Sequence, residues 1–588
     1  MQVSVLLALV CIVAATTGAT YTEGEPVYLF MSKISPYSNP SETYKYYSLP
    51  FCPPSNSTSA TTHKLSLEES FKGDVMTNSA IEIGFNTPVA WKELCTQHLT
   101  VKDVEMFRKA IRKYYYFEMY LDGMPLRGFV GSVDKNEEGE AVKFYLFKHL
   151  HFTVLYNENR VIYANVTADL RQVAELPEPE SLGSEEFSVE FSYSVQWVPT
   201  DHPYSRRAEL LLSDQFFEQE MEVHWLSILN SIVLVILLTG FIAIIIMRVL
   251  KSDFSRYSRA EDLEDDEDDY GWKLLHGDVF RFPQHRMLFS SFFGIGCQFL
   301  LVCFSVLTLS LAGFFNTANK QGMITTIIAV YNLSFFFGGA VSAGMYKKLD
   351  GARWAWNIVL TATVFFLPFF VLTVLLCIVA TTYSSSSALP VSSLYKLFAI
   401  WLFVGFPLTL LGGIAGKRLA GPFEASTRTK NFPREIPPLP WYRQPIVQYS
   451  MAGFLPFSAI YIELYYIFTS VWGHNSYHLY GILFIVFLIL LAVTACITIA
   501  LTYFQLSMED HRWWWRSFIS GGSTGVFIYL YSFFYYFYRS HMSGLLQASF
   551  YFGFTLMFCY FFFLMLGTVG FYCSLVFVRR IYTNCKCE

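Results

Sequence analysis

From residue 225 onward the chain contains nine long apolar spans, and no other feature constrains its fold as strongly. The spans cover residues 225–247, 288–315, 322–346, 354–382, 394–416, 448–471, 479–504, 517–538 and 545–577. As helices, all of them are long enough to cross about 30 Å of hydrocarbon. Only 15% of the residues are charged, against about 25% in a soluble globular protein. The sequence therefore predicts a polytopic membrane protein with a nine-helix transmembrane bundle.

The N-terminal part of the chain has a different composition. An apolar run from Val3 to Ala15 is too short to span a bilayer, and small residues such as Thr17 and Ala19 follow it, which is typical of a cleaved signal peptide. The predicted organisation is a signal peptide at 1–19, a β-rich domain at 20–224, a first transmembrane helix at 225–247, an acidic cytosolic loop at 248–287, helices two to nine at 288–578 and a cytosolic tail at 579–588.

The distribution of Lys and Arg orients the spans. With the first domain translocated by the signal peptide, the segments predicted to be cytosolic contain 21 Lys and Arg residues, whereas three, Lys320, Lys396 and Arg539, lie in or beside the short lumenal connections. Cytosolic loops of membrane proteins carry the excess of positive charge. The bias therefore predicts a lumenal N-terminal domain and a cytosolic C-terminus.

Residues 20–224 are predicted to form an antiparallel, β-sandwich-like domain. Stretches rich in β-branched and aromatic residues are separated by turn sequences such as Asp122-Gly123 and Asn157-Glu158-Asn159, a pattern typical of such folds. The strands are predicted at 28–31, 114–120, 144–156, 160–166 and 187–197. One helix is predicted from Val101 to Arg112.

Covalent modifications are predicted in this domain. Cys52 and Cys95 are its two cysteines after removal of the signal peptide, and an oxidising compartment favours a disulfide between them. Two free buried thiols are the alternative. Asn56 and Asn165 begin glycosylation sequons.

Catalytic, metal and cofactor sites are not predicted. His149 and His151 share a strand face, but a metal site needs a third ligand, so both are interpreted as exposed strand histidines. Without a nucleophile–base pair or a metal set, the sequence does not predict an enzyme. A net charge of −5 gives no support for a nucleic-acid partner.

Two features of the spans leave alternatives open. Glu463 lies within the span 448–471 and has either a structural role or a role in binding a ligand or an ion, because an intramembrane carboxylate is costly. Gly412 with Gly416, and Gly521 with Gly525, have helix-packing spacing. They serve either packing inside the bundle, which the sequence favours, or a groove for other helices.

Three motifs in this sequence resemble signatures of the nonaspanins, the transmembrane 9 superfamily. They are Gly271-Trp272-Lys273-Leu274-Leu275-His276-Gly277-Asp278-Val279-Phe280-Arg281, Leu455-Pro456-Phe457 with Ile462-Glu463-Leu464, and Glu509-Asp510-His511-Arg512-Trp513-Trp514-Trp515-Arg516-Ser517-Phe518. Two N-terminal stretches are similar as well, namely Asn39-Pro40-Ser41-Glu42-Thr43-Tyr44 and Leu49-Pro50-Phe51-Cys52. The resemblance extends over nearly the whole mature chain.

This resemblance implies a Golgi and endosomal membrane protein that aids the sorting and localisation of other membrane proteins. Its expected clients have glycine-rich transmembrane helices. The family's C-terminal Lys-x-Asp or Lys-x-Glu signal binds coatomer, and Lys586 with Glu588 matches it here. The alternative is a small-molecule or ion transporter, or a receptor, that uses Glu463.

Overall fold

The computed structural model describes residues 19–54, 74, 76–135, 141–182, 186–207 and 210, scattered positions between 229 and 255, and residues 272–313, 320–425, 427–438, 440–473 and 480–583. The predicted signal peptide lies outside these residues except for Ala19. Most of the predicted first span and acidic loop also lies outside them.

The N-terminal region is rich in strands. They are β1 (Leu29–Pro36), β2 (Tyr44–Lys45), β3 (Thr77–Asn78), β4 (Val89–Leu99), β5 (Tyr115–Leu121), β6 (Met124–Phe129), β7 (Gly131–Lys135), β8 (Ala141–Phe147), β9 (His149–Asn157), β10 (Arg160–Ala168), β11 (Val173–Glu175) and β12 (Phe187–Pro199). Helix α1 (Val101–Arg112) has the predicted bounds, and α2 (Pro179–Leu182) is a single turn.

These strands form three sheets around one apolar core. Their orders are β2-β1-β5-β6 with β3 paired to β1, β10-β9-β12-β4, and β11-β8-β7. Buried apolar residues of all three sheets and of α1 belong to the same cluster. The prediction of purely antiparallel pairing is wrong at one place, since β9 and β12 run parallel.

Helix α1 begins where the sequence provides a cap. The Asp103 carboxylate accepts hydrogen bonds from both the backbone N–H and the hydroxyl of Thr100, which satisfies a donor that a helix start leaves unpaired. Its apolar face, including Val104 and Phe107, is buried.

The second half of the chain is helical. The helices are α3 (Arg286–Leu311), α4 (Lys320–Lys348), α5 (Trp354–Thr363), α6 (Phe366–Thr382), α7 (Val391–Ile400), α8 (Phe406–Leu419), α9 (Pro445–Trp472), α10 (Tyr480–Leu506), α11 (Trp513–Gly522), α12 (Thr524–Phe534) and α13 (Leu545–Thr583). Within the described residues, seven helical stretches are long and apolar enough to cross a membrane, where α5 with α6 and α7 with α8 each count as one.

The remaining two of the nine predicted spans are not fully tested. The span 517–538 corresponds to α11 and α12, which are separated only by Ser523 and continue into a π-helical turn, Tyr535–Arg539. The span 225–247 falls mostly outside the described residues. The last helix is longer than its predicted span and includes 579–583, the first half of the predicted tail.

Candidate functional site: a joint, two cavities and a plug

Among the described residues, hydrogen bonds from residues 39–43, a segment between β1 and β2, join the N-terminal domain to the bundle. We call this contact the joint. Its partners are the loop 385–387 between α6 and α7, and the residues 543–547 at the start of α13.

Hydrogen bonds between uncharged groups cross the joint. Asn39 Nδ2 donates to the Ser543 carbonyl (2.7 Å), and the Ser543 amide donates to Asn39 Oδ1 (3.0 Å). The backbone N–H of Ser41 donates to Gln547 Oε1 (2.9 Å). The carbonyl of Thr43 accepts from the Ser385 hydroxyl (2.6 Å) and the Ser386 amide (2.9 Å).

Two amide side chains of the joint are buried. Asn39 is 2% exposed and Gln547 is fully buried. A buried amide must find partners for both its donor and its acceptor. Asn39 does so, because its Nδ2 also donates to the Glu42 carboxylate (2.7 Å).

A cluster of charges lies one layer behind the joint, inside the N-terminal domain. The ammonium of Lys33 pairs with Asp74 and with Glu118 (3.6 Å), and Arg127 also pairs with Glu118 (3.1 Å). Burial opposes ionisation of Glu118, but the charges of Lys33 and Arg127 outweigh it and lower the pKa of Glu118 to about 2. The charge of Lys33 is therefore neutralised locally.

A cavity of about 350 Å³ lies directly beneath the joint. We call it the joint cavity. Lys33, Pro40 and Ser41 of the N-terminal domain and Ser387 line one side of it. Its other walls are mostly apolar or aromatic and come from the bundle, namely Thr373, Leu376 and Cys377 of α6, Trp472 of α9, and Phe550 and Phe554 of α13, together with Leu389.

A second cavity, of about 420 Å³, lies between the transmembrane helices themselves. We call it the aromatic cavity. It is half-open and lined by Ile328, Tyr331, Asn332 and Phe335 of α4, Phe365, Phe366 and Phe369 at the start of α6, Leu397, Ile400 and Trp401 at the end of α7, and Phe554, Met557, Phe558 and Phe561 of α13. Asn332 is the one amide in this lining, and its Nδ2 donates to the carbonyl of Ile328.

A π-helical turn, Trp401–Gly405, shapes the wall of the aromatic cavity. Such turns are rare and are frequent at functional sites. The Trp401 ring stacks on Phe366 with ring centroids 4.4 Å apart, and its Nε1 donates to the carbonyl of Ala362 (3.1 Å). The indole is thus fixed between α5 and α6, and Phe554 is shared by both cavities.

The glycine pairs pack against helices of the same chain. A Cβ atom on Gly412 would lie 1.9 Å from the carbonyl oxygen of Phe336, and one on Gly416 would lie 2.0 Å from that of Ala340. The backbones of α8 and α4 are therefore in direct contact. Gly521 meets α13 in the same way. These surfaces are occupied by the bundle itself, which confirms the interpretation that the sequence favoured.

Glu463 lies on the buried face of α9 and is 3% exposed. Ile460 and Leu464, its neighbours on that face, belong to the main apolar cluster of the bundle. Pro456 lies two turns earlier in the same helix. The structure places Glu463 in neither of the two cavities.

The end of the bundle opposite the joint is closed by tryptophans and ion pairs. We call residues 272–285 with 510–516 the tryptophan plug. Trp513 Nε1 donates to the Val279 carbonyl (2.8 Å), and Asp510, fully buried, pairs with Arg516 (3.0 Å). Two of the three signature motifs meet here, which the sequence alone does not indicate.

The plug also holds the end of α13. The hydroxyl of Tyr582 donates to the Trp272 carbonyl (2.6 Å), and the two rings lie edge to face. Lys586 and Glu588 come a few residues later and lie outside the described residues. Their role stays a prediction.

The other predicted residues of the N-terminal domain are dispersed. Cys52 and Cys95 form a disulfide between the loop after β2 and β4. Asn165 is exposed on β10, and Asn56 lies outside the described residues.

The prediction of exposed histidines is wrong for His149, and His151 is half-buried with its Nδ1 2.7 Å from Ser194 Oγ. His149 is 6% exposed, and both ring nitrogens lie within hydrogen-bond distance of serine hydroxyls, at 2.8 Å from Ser192 Oγ and 2.9 Å from Ser194 Oγ. Parallel pairing of β9 with β12 places these serines beside it. Burial lowers the pKa of His149. Within the described residues, no group of three potential metal ligands occurs.

A family model described as "Endomembrane protein 70" matches residues 43–545 of the chain. The chain belongs to the endomembrane protein 70 family. Several relatives match almost the full length of the chain. "Putative phagocytic receptor 1b" of Dictyostelium discoideum is 50% identical over 100% of this chain and 98% of its own. "Transmembrane 9 superfamily member 2" of Arabidopsis thaliana is 47% identical over 97% and 95% of the two chains.

A third relative, "Transmembrane 9 superfamily member 1" of Bos taurus, is 47% identical over 97% of this chain and 94% of its own. The predicted resemblance to the transmembrane 9 superfamily is thus confirmed. The length and the tail of the chain suggest member 3 of this superfamily in particular. Differently numbered members match the chain about equally well, however, so no member is distinguished. No solved structure matches it.

Proposed function

We propose that this protein resides in Golgi and endosomal membranes, has no enzymatic activity, and sorts other membrane proteins by binding their transmembrane helices in the aromatic cavity. In the proposed orientation, the N-terminal domain and the joint lie in the lumen, and the plug lies in the cytosol. The excess of Lys and Arg on the plug side supports it, and exposed Asn165 is then available for glycosylation.

The half-open aromatic cavity is the observation that carries the proposal. In lipid, helices associate through close packing rather than through the hydrophobic effect, and small residues allow backbones to approach. The glycines of this chain are already used inside the bundle. The cavity presents large rings instead, among them Phe558, which is 40% exposed. Rings of this size fit a partner helix that carries small side chains, such as a glycine-rich helix.

A crosslinking experiment tests the client site. A photoreactive residue is placed at Phe558 in the cavity or, as the matched control, at Val576, which is on the same helix and 51% exposed. A glycine-rich single-span client and a leucine-substituted version are then co-expressed. We expect crosslinking from 558 that depends on the client's glycines. Equal crosslinking from both positions, or to both clients, would contradict the site.

We further propose that coatomer recognises Lys586 and Glu588 and retains the protein in the Golgi. Helix α13 ends at Thr583 beside the plug, so the signal follows within a few residues of an anchored point. Lys586→Ser is expected to move the protein to endosomes or the cell surface. Arg580→Ser, which removes the same charge from an exposed position of α13, serves as the control. Retention that survives Lys586→Ser would overturn the claim.

A second candidate is a transporter or receptor that uses Glu463. The observation in its favour is a carboxylate that is 3% exposed within an apolar helix, because such groups mark ion or ligand pathways by default. One relative also carries the name of a phagocytic receptor. Glu463→Gln should then abolish flux in reconstituted vesicles without changing thermal stability. Absence of flux in the unmodified protein, together with normal client sorting, would remove this candidate.

A further inference from the structure

The joint cavity combines a polar rim with an apolar floor. Ser41 and Trp472 both belong to the lining of the cavity. Among the described residues, neither the Ser41 hydroxyl nor the Trp472 indole N–H has a hydrogen-bond partner, although the backbone N–H and carbonyl of Ser41 are both bonded. An indole N–H can only donate. The rim therefore offers two donors to a ligand that carries an oxygen acceptor.

The charges around the rim argue for a neutral ligand. Lys33 is the one cationic side chain in the lining. Its ammonium already pairs with Asp74 and Glu118, and Glu118 is shared with Arg127. An anionic headgroup would have to compete with two carboxylates that are fixed in place, and it would add a third negative charge nearby.

The floor of the cavity fits hydrocarbon. Leu376 is 5% exposed and packs with Phe550 in a small apolar cluster of α6 and α13. Phe554, one turn further along α13, belongs to the lining of this cavity and of the aromatic cavity. A hydrocarbon tail that starts at the rim would run along α13 and end against this ring.

The depth of the cavity in the molecule indicates where its ligand comes from. One wall belongs to the N-terminal domain, and the others belong to the ends of transmembrane helices. This is the level at which the headgroups of the adjacent leaflet lie. A volume of about 350 Å³ falls within the range of about 300–1,000 Å³ that is typical of small-molecule pockets.

From these features we infer that the joint cavity binds a neutral, hydroxyl-bearing membrane lipid, with its oxygen at Ser41 and Trp472 and its apolar body between α6 and α13. This inference is independent of the sorting proposal, because it concerns a different cavity. A sterol and a diacylglycerol share the required chemistry. Each presents one hydroxyl and no charge.

The test uses the full-length protein in lipid nanodiscs with three photoreactive, clickable probes: a sterol, a diacylglycerol and phosphatidic acid. Labelled peptides are mapped by mass spectrometry. We expect labelling of the segments around Cys377 and Phe550 by one or both neutral probes, and which of the two labels identifies the lipid. Equal labelling by phosphatidic acid, or labelling of these segments by none of the probes, would overturn the inference.

Two variants link the labelling to the cavity. Cys377→Trp fills the cavity and is expected to reduce labelling at least about tenfold, whereas Cys303→Trp makes the same change on α3, outside both cavities. Ser41→Ala removes one neutral hydrogen bond and should weaken binding about threefold to tenfold. Because Ser41 has no described side-chain hydrogen bond within the protein, this variant should fold normally. Unchanged labelling in Ser41→Ala and in correctly folded Cys377→Trp would also refute the site.

Discussion

The two ends of the bundle are held together by different chemistry. At the joint, neutral amides, hydroxyls and carbonyls form the hydrogen bonds between the N-terminal domain and the helices, and a cavity lies beneath them. At the tryptophan plug, the buried indole of Trp513 connects the two segments, and a buried ion pair lies within the segment 510–516.

The two kinds of contact differ in the free energy that is lost when one partner is removed. A neutral hydrogen bond contributes about 0.5–1.5 kcal/mol net, because water replaces it when it breaks. Removing one partner of a buried ion pair costs about 3–5 kcal/mol, because the other charge stays buried. Loss of one contact at the joint is therefore expected to destabilise the protein less than loss of the buried carboxylate in the plug.

The strongest challenge to this comparison is a substitution in the plug. Asp510→Ala leaves Arg516, whose side chain is 13% exposed, without its carboxylate, and we expect a loss of about 3–5 kcal/mol. Thermal unfolding of the solubilised protein measures it. Arg512→Ala is the control, since that side chain is 64% exposed and lies 3.7 Å from Asp510; it should cost less than about 1 kcal/mol. Equal losses would mean that the plug does not depend on buried charge.

The charge cluster behind the joint gives the next largest effect. The pKa of Glu118 is lowered to about 2, so its stabilising contribution is complete above its usual pKa, near 4.5, and is lost as the pH falls toward 2. Acid unfolding of the N-terminal domain, followed by hydrogen exchange of β1 and β5 in the full chain, should show this window. Glu118→Gln should remove most of this pH dependence.

Glu82→Gln provides the comparison for that experiment. Its side chain is 83% exposed and pairs with Lys92 at 3.1 Å, so the same chemical change at the surface should leave the acid transition in place. If both variants shift the transition alike, the buried cluster does not control it.

The joint itself should respond more weakly. Thr43→Val removes the hydroxyl that lies 2.7 Å from Ser387 Oγ and 2.8 Å from Ser386 Oγ. We expect the joint to lose about 1–2 kcal/mol, and therefore about tenfold faster exchange of the Ser543 amide. Ser48→Ala, at an exposed position of the same domain, should change nothing. An unchanged Ser543 amide would show that the joint does not open as one unit.

The smallest effect concerns His149. Burial lowers its pKa below the usual 6.5, so its contribution to stability is complete above pH 6.5 and decreases as the pH falls through the lowered value. Hydrogen exchange of β9 and β12 should therefore speed up in mildly acidic buffer. His149→Gln should make that exchange less dependent on pH between 7 and 5. The same pH dependence in the variant would assign it to another group.

Much of the fold could be predicted because its signals are local. Helix α1 has the predicted bounds, and in the structure Thr100 and Asp103 form a cap before an amphipathic stretch. The turn at Asp122-Gly123 has the positive φ angles that such a pair favours. Hydropathy located the spans, since length and apolarity alone decide whether a helix crosses a membrane.

The missing parts depend on contacts between distant residues. Strand β4 was overlooked because most of its side chains are exposed or half-buried, which leaves little apolar alternation. The burial of His149 follows from parallel pairing with β12, and no local pattern encodes this pairing. The break at Ser523 and the π-helical turn at Trp401 were likewise not predicted from the sequence.

For the candidate site, the sequence predicted individual motifs but not how they are arranged in space. The sequence identified the stretch from Asn39 and the motif from Glu509 as distinctive, but not that one forms the joint and the other part of the plug. Neither cavity was predicted, because each is lined by residues from at least three helices. Glu463, the most conspicuous residue in the spans, lines neither cavity.

Helix α13 has a mechanical consequence. It is 39 residues long, about 58 Å at 1.5 Å per residue, which is nearly twice the thickness of the hydrocarbon core. Gln547 near its first residue accepts a hydrogen bond across the joint, and Tyr582 near its last residue donates one to the plug. A push or a twist at either end of such a stiff rod reaches the other side of the membrane directly, without any signal having to pass from residue to residue.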